Sequence, residues 1–370
     1  MDGRLGGVPV GEIKEKELHY SDILLQPRQA IIDSRLEADT SLNFGGHLFA
    51  LPIVPANMKT VINEALAIWL AENGYFYIHH RFGVDPIPFV KMMNGHKLIS
   101  SISLGVNEDS MKFVHQLADN ATPDYITVDV AHGHCYKMEK MIKHIKKYLP
   151  KSYLIAGNVC TQEGARFLWD AGADAIKVGI GSGKVCTTKL MTGFSRPQFS
   201  AILDVARAFD TMCHMCHSYY PGSYNREQPP RGKPDDPRCG CGATLGWASQ
   251  RQGIPPIIAD GGVEYNGDIA KALVAGATMV MAGGLLAGMD ESPGKKVVHD
   301  DGRITKEYFG SASEHNKGAK EFVEGRRIEI PYRGSITDKL LEIKQSLRSS
   351  ISYAGGSDLK CFRTVDWVRQ

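Results

Sequence analysis

The 370-residue sequence lacks a long apolar run, because no segment approaches the roughly 18 consecutive apolar residues of a membrane-spanning helix. It also lacks an excess of one charge, since 43 Lys and Arg nearly balance 41 Asp and Glu. Without blocks of like charge, a dedicated nucleic-acid or membrane surface is excluded as the main feature of the chain. We therefore expect neither a nucleic acid nor a membrane as a partner.

The first residues, MDGRLGGVPVGEIKEKE, lack the apolar core of a secretory signal. We accordingly expect a cytoplasmic protein whose eight cysteines are mostly reduced. Burial, a metal or chemistry must then account for the cysteine positions.

Eight short apolar runs end in Gly, Asn, Asp or His, and helix-like segments follow most of them. The runs cover residues 51–57, 74–80, 97–105, 124–133, 152–159, 175–183, 255–262 and 278–284. Repeated strand-helix alternation predicts an α/β fold of the (β/α)8 TIM-barrel type, with a doubly wound open sheet as the alternative. In a barrel, the residues that end the strands gather on one rim, where active sites lie.

Two segments interrupt this rhythm in what we expect to be one catalytic domain, residues 1–370. Residues 211–253 are rich in Cys and Pro and have no helical period, which predicts an insertion before strand seven. A C-terminal extension follows strand eight. The insertion contains two close cysteine pairs, which are either free thiols or a structural Zn²⁺ site. The four cysteines are Cys213, Cys216, Cys239 and Cys241.

The segment VGIGSGKVCTTK places Cys186 on a glycine-rich loop at a strand end, two residues after Lys184. A neighbouring cation favours the reactive thiolate. The residues alone leave Cys186 either a packed turn thiol or a nucleophile.

The next strand ends carry the glycine pairs ADGG (259–262) and AGG (282–284). Loops after strands seven and eight of many barrels bind phosphate through backbone N–H groups, although tight turns use the same residues. Asp260 is placed to hold ribose hydroxyls. His132 and His134 form a His-x-His motif that either ligates the metal of a hydrolase or lies in a solvated loop.

Six motifs occur together in one order: VGIGSGKVCTTK, IIADGG, GGLLAG, YFGSASE, VEGRR and SSISYAGG. In this combination the chain resembles the inosine monophosphate (IMP) dehydrogenase and guanosine monophosphate (GMP) reductase family, from residue 20 to about residue 367. Only about 16 residues separate YIHH from KLISSIS, so the regulatory domain of the dehydrogenases is absent. The segment HNKGAKEF lacks the Arg-Tyr pair that dehydrogenases use to activate water. The chain therefore resembles the reductase branch.

The resemblance implies reductive deamination of GMP to IMP with NADPH, in purine salvage, through a covalent bond from Cys186 to purine C2. Thr188 and Glu324 would transfer protons, and Asp260 would bind the ribose. The phosphate would lie among a further set of residues: Gly261, Gly262, Gly283, Gly284, Gly310, Ser311 and Lys184.

The resemblance also implies three groups of contacts with cofactor and ions. The nicotinamide end would face Asp129, Val130, Ala131, Gly179, Ile180 and His80. The rest of the cofactor would contact Ser34 and Arg35, and Ser349, Ser350, Ile351 and Ser352 of a neighbouring subunit in a homotetramer. A monovalent cation such as K⁺ would lie at Gly181, Gly183, Cys186 and Lys189.

The chain departs from the family pattern at two places besides the insertion. Many relatives have Gly-Pro-Gly-Ser where this chain has Gly181-Ser182-Gly183-Lys184. Lys184 either binds phosphate or stabilises the Cys186 thiolate. Relatives have a lysine near the end of strand two, where this chain has His80 and Arg81. The functional alternatives are a dehydrogenase without its regulatory domain and a non-catalytic nucleotide-binding regulator.

Overall fold

The computed structural model describes residues 16–209, 254–311, 313 and 325–370. The strands are β1 (Ile23–Leu25), β2 (Leu42–Phe44), β3 (His47–Phe49), β4 (Ile53–Pro55), β5 (Ser101–Leu104), β6 (Tyr125–Asp129), β7 (Tyr153–Val159), β8 (Ala175–Val178), β9 (Ile257–Asp260), β10 (Met279–Ala282), β11 (Lys296–Val298), β12 (Ile304–Phe309), β13 (Arg327–Pro331) and β14 (Trp367–Arg369). The α-helices are α1 (Glu64–Glu72), α2 (Pro86–Gly95), α3 (Glu108–Asn120), α4 (Tyr136–Tyr148), α5 (Gln162–Ala171), α6 (Thr188–Thr192), α7 (Gln198–Arg207), α8 (Asn266–Val274) and α9 (Ile336–Tyr353). Single 3-10 turns cover Tyr20–Asp22, Arg35–Glu37 and Leu359–Thr364.

The central sheet is parallel and follows the order of the chain. Strands β5 to β10 are neighbours in sequence order, and β10 pairs in turn with β4. Pairing of the last strand with the first is what a closed barrel requires, whereas a doubly wound sheet reverses its strand order part-way. The chain therefore has the predicted (β/α)8 barrel.

The second barrel position, predicted as a strand over residues 74–80, differs from the expectation. There the chain makes one parallel bridge, between His79 and Ile102, instead of a continuous ladder. The phenol of Tyr77 donates to the carbonyl of Ile99 at 2.7 Å and accepts from the N–H of Ser101 at 3.2 Å. A side chain thus occupies backbone groups that a longer ladder would use.

The strands are buried on both faces, as their apolar sequences predict. Every residue of β5, β8 and β10 is buried. Helix α4 shows how the outer layer covers them, because it buries residues spaced three or four apart along one face. These are Met138, Met141, Ile142 and Ile145.

The C-terminal extension adds an antiparallel sheet in the order β11, β12, β13. Helix α9 packs against α8, and β14 pairs antiparallel with β1. The predicted insertion, residues 211–253, and its four cysteines lie outside the described residues. In the part of the chain that is described, no helix is long and apolar enough to cross a bilayer.

Candidate active site

The loop after β8 presents Cys186 at the barrel rim. The N–H of Cys186 donates to the carbonyl of Gly183 at 3.0 Å, which turns the chain back on itself. The half-buried Sγ atom donates to Thr188 Oγ1 at 3.1 Å, and the Thr188 side chain is buried at the start of α6. A hydroxyl in this position can pass the thiol proton on to a base, which suits the nucleophile predicted at Cys186.

The C-terminal extension reaches this loop through backbone contacts. Cys186 forms an antiparallel bridge with Gly325, and the N–H of Arg326 donates to the carbonyl of Val185 at 3.0 Å. The N–H of Gly310 donates to the carbonyl of Arg326 at 3.3 Å. The extension therefore forms one wall of the site. Glu324, the predicted proton-transfer partner, lies outside the described residues.

The predicted phosphate glycines lie around the same loop. Gly261 has φ +102°, and a methyl there would lie 3.1 Å from the amide nitrogen of Gly183. Gly284 lies beside two side chains, because a methyl there would be 3.7 Å from the Tyr308 ring and 3.8 Å from Lys184 Cδ. Gly261 therefore lets the loop after β9 pack closely against the loop that carries Cys186, and the phosphate role of both glycines stays a prediction. Gly310 likewise packs against Val185.

Ser182 fastens the end of strand seven to the cysteine loop. Its hydroxyl donates to the main-chain carbonyl of Asp260 at 3.0 Å. Ser182 departs from the family pattern, and this hydrogen bond gives the departure a structural role.

A buried ion-pair network lies across the barrel mouth. The Lys177 ammonium contacts Asp260 Oδ2 at 2.6 Å and Asp129 Oδ2 at 3.2 Å. Asn57 donates to the same Asp129 oxygen, and Asn158 to the same Asp260 oxygen, each at 2.8 Å. Asn57, Asp129, Asn158 and Asp260 lie at or near the ends of barrel strands, as predicted. Lys177 instead lies within β8, the sixth barrel strand.

Burial and the ion-pair network shift the pKa values of Lys177 and Asp129 in opposite directions. Burial lowers the pKa of Lys177, but Asp129 and Asp260 outweigh it and raise that pKa above its usual value. Burial likewise raises the pKa of Asp129, but Lys177 and Asn57 outweigh it and leave that pKa below its usual range. Lys177 and Asp129 therefore stay ionised at neutral pH.

The histidines at the end of the second barrel position are neutral. The rings of His79 and His80 stack with centroids 4.9 Å apart. Burial lowers the pKa of both to about 4, and the charge of Lys59 adds to the effect at His80. His80 therefore does not supply the positive charge of the lysine found in relatives. The half-buried Lys59 brings a cation close to it.

Comparison with known proteins identifies the family. The model of the IMP dehydrogenase / GMP reductase domain matches residues 17–216 and 244–369. The chain belongs to this family. Its match is interrupted inside the segment predicted as an insertion.

Curated relatives of this family member carry the name GMP reductase. The protein from Bacillus subtilis is 48% identical over 356 residues, covering 96% of each chain. The one from Latilactobacillus sakei is 49% identical over 351 residues, covering 94% of this chain and 95% of its own. The one from Bacillus anthracis is 48% identical over 351 residues, covering 94% of both. The chain is thus an enzyme of an oxidoreductase family.

The residues predicted for the nicotinamide end lie at the rim of this IMP dehydrogenase / GMP reductase barrel. The N–H of Val130 donates to the carbonyl of Gly157 at 3.0 Å, which fixes the chain directly after Asp129. Ala131 is exposed. Across the rim, the Ile180 carbonyl, next to Gly179, accepts from Ser195 Oγ at 3.0 Å.

The residues predicted for the rest of the cofactor form one surface patch within a single chain. Arg35 Nη1 donates to Ser349 Oγ at 3.1 Å, and its guanidinium lies 5.6 Å from the centroid of Tyr353. Ser34 caps the turn that carries Arg35, and its hydroxyl accepts from the N–H of Leu36. The resemblance assigned Ser34 and Arg35 to one chain and residues 349–352 to a neighbouring subunit, whereas the fold brings both groups together within a single chain. The side chain of Ile351 is buried in the core, so the polar side chains of the patch are those of Arg35 and the serines.

The predicted His-x-His site and the predicted monovalent-cation site both lie within the described residues. The rings of His132 and His134 lie with centroids 6.4 Å apart. Across the described residues, no three His, Cys, Asp or Glu side chains are placed to hold a metal ion. The monovalent-cation site at Gly181, Gly183, Cys186 and Lys189 stays a prediction.

Sequence reasoning missed two residues of the site. Lys177 lies in a run that reads as an ordinary apolar strand, and a lysine inside such a run was the available signal. Tyr308 precedes the YFGSASE glycine by two residues, and a methyl at Gly283 would overlap its hydroxyl. Burial raises the pKa of Tyr308, and the charges of Asp260 and Cys186 raise it further, so its hydroxyl stays protonated.

Proposed function

We propose that this enzyme converts GMP to IMP and ammonia with NADPH as reductant, as part of purine salvage. The observation that carries the proposal is the contact between Cys186 and Thr188 on a loop surrounded by glycine turns. The names of the relatives support the same substrate.

In this proposal Asp260 binds the ribose and the neighbouring glycine loops bind the phosphate. Gly261, Gly262, Gly283, Gly284, Gly310 and Ser311 supply the backbone groups. Lys184 supplies a charge, since its side chain runs beside Gly284. A lysine ammonium over backbone N–H groups is a usual arrangement for a phosphate.

The chain's own residues carry the chemistry in balanced steps. The Cys186 thiolate adds to C2 of the guanine, after the thiol proton passes through the Thr188 hydroxyl to the Glu324 carboxylate. Thr188 and Glu324 then protonate the 2-amino group, and ammonia leaves a purine bonded to sulfur. NADPH, when bound, supplies the hydride that C2 accepts. The C–S bond then breaks with its electron pair on Cys186, so that GMP, NADPH and two protons yield IMP, ammonium and NADP⁺.

The chain offers a suitable set of groups for the cofactor. Asp129, Val130, Ala131, Gly179, Ile180 and His80 would face its nicotinamide end. The patch of Ser34, Arg35, Ser349, Ser350 and Ser352 would hold its adenosine end, because a guanidinium with hydroxyls matches a phosphate. We also propose a homotetramer, in which this patch serves a neighbouring subunit, and a K⁺ ion at Gly181, Gly183, Cys186 and Lys189.

The decisive experiment follows nicotinamide absorbance with purified protein. We expect NADPH oxidation that depends on GMP and releases one ammonia for each NADPH consumed. Cys186→Ala should abolish it, whereas Cys135→Ala, a half-buried cysteine away from this loop, should not. NADH formation from IMP and NAD⁺ would instead make the chain a dehydrogenase. Tight nucleotide binding with no turnover in either assay would make it a regulator.

A further inference from the structure

We propose that Lys177 is a positioning residue that couples the nucleotide half of the site to the cofactor half. It does so by holding the carboxylates of Asp260 and Asp129 with one ammonium group. The inference deepens the proposed function, since it assigns those two carboxylates to GMP and to NADPH.

Lys177 is buried too deeply to contact a ligand itself, but it contacts one carboxylate from each half of the site. Its side chain is 2% exposed, against 21% for Asp260 and 23% for Asp129. Its ammonium is therefore covered, and the two carboxylates above it face the mouth of the barrel. Gly157 makes room for the lysine stem, because a methyl there would lie 2.5 Å from Lys177 Cβ.

The network uses one oxygen of each carboxylate and spares the other. Lys177 and Asn158 both donate to Oδ2 of Asp260, and Lys177 and Asn57 both donate to Oδ2 of Asp129. Within the described ranges, neither Oδ1 atom takes part in this network. Each carboxylate is thus held on one side and can accept hydrogen bonds from a ligand on the other.

Sharing one ammonium makes the two carboxylates interdependent. A ligand hydroxyl that withdraws charge from Asp260 leaves more of the ammonium's attraction for Asp129, and the reverse holds equally. Binding free energies coupled in this way must be reciprocal. Without the ammonium, the two partly exposed carboxylates would lose the cation that they share, while Arg81 would still act on Asp129, and neighbouring carboxylates relieve their repulsion by retaining a proton.

The test measures binding of IMP and of NADP⁺ to the full chain by calorimetry. We expect Lys177→Met to weaken both affinities, and to introduce a pH dependence in which binding strengthens as pH rises and the retained proton is lost. Lys306→Met is the matched control, because Lys306 is also buried and, among the described residues, donates to main-chain carbonyls of Met289, Asp290 and Ser292. It should lower the melting temperature without these effects.

Near-isosteric variants keep the test valid if Lys177→Met does not fold. We expect Asp129→Asn to weaken IMP binding, because Asp260 then neutralises the whole ammonium and accepts hydrogen bonds less strongly. Asp260→Asn should weaken NADP⁺ binding in the same way, each about fivefold or more, at the lower end of ordinary coupling. Wild-type binding with no cross effect in either variant would overturn the coupling. Failure of the wild type to bind either ligand would overturn the proposed function itself.

Discussion

The Sγ atom of Cys186 donates a hydrogen bond to the Oγ1 atom of Thr188 across 3.1 Å. Thr188 is buried, so its hydroxyl has a restricted set of positions, and one of them receives the thiol proton. In the proposed reaction the same hydroxyl also passes a proton to the 2-amino group. Thr188 should therefore affect the chemical step more than substrate binding.

Thr188→Ala is expected to lower kcat by about 100-fold with little change in KM for GMP, the lower range for loss of a proton-transfer group. Thr188→Ser should keep most of the activity, because the hydroxyl remains. Thr187→Ala is the control, since the Thr187 side chain makes no capping hydrogen bond to α6. Steady-state rates of NADPH oxidation decide the matter, and an unchanged kcat in Thr188→Ala would refute the relay.

Substitution of Lys184 tests whether its ammonium group binds the phosphate. If it binds the phosphate beside Gly284, Lys184→Ala should raise KM for GMP about tenfold or more, as expected for a lost charged hydrogen bond. The rate at which iodoacetamide alkylates Cys186 should then stay the same. A slower alkylation with an unchanged KM would instead assign Lys184 to the thiolate. The exposed Lys137→Ala provides the charge-matched control.

The strand-helix alternation was enough to predict the barrel and the rim on which Asn57, Asp129, Asn158 and Asp260 meet. Periodicity reports which residues are buried, and burial fixes the order of the layers. The periodicity does not predict which buried polar groups form hydrogen bonds with one another. The Tyr77 phenol replaces part of a β-ladder, and no pattern of apolar residues contains that information.

Contacts between distant segments were equally hidden from the sequence. Arg35 and Ser349 lie near opposite ends of the chain and meet because a 3-10 turn packs against α9. Ser182 looked like a departure from the family pattern, yet its hydroxyl bonds the carbonyl of Asp260. The family resemblance predicts the role of a residue, whereas its hydrogen-bond partners are seen only in the folded chain.

The buried histidines predict how stability depends on pH. His79 and His80 have folded-state pKa values of about 4, below the usual value near 6.5. Between those values the unfolded chain binds protons that the folded chain does not, so the free energy of unfolding falls as pH falls from about 6.5 to about 4. Each ring should contribute about 1–2 kcal/mol to that loss at pH 5.

Melting temperatures at pH 7 and pH 5 measure this effect. His79→Phe should reduce the difference between them, because a phenyl ring stacks on Phe89 as the imidazole does, without titrating. The exposed His96→Gln should leave the difference unchanged. An equal loss of stability in wild type and His79→Phe would contradict the assignment.

The patch around Arg35 predicts both cofactor selectivity and the sharing of sites. Arg35→Ala should raise KM for NADPH about tenfold and KM for NADH much less, because only NADPH carries the extra phosphate that a guanidinium binds.

If the patch serves a neighbouring subunit, inactive Cys186→Ala chains can lend their Arg35 to Arg35→Ala chains. Mixed oligomers of the two variants should then oxidise NADPH at low concentration faster than Arg35→Ala alone. A mixture with no gain, despite verified subunit exchange, would place Arg35 and Cys186 of one chain in the same site.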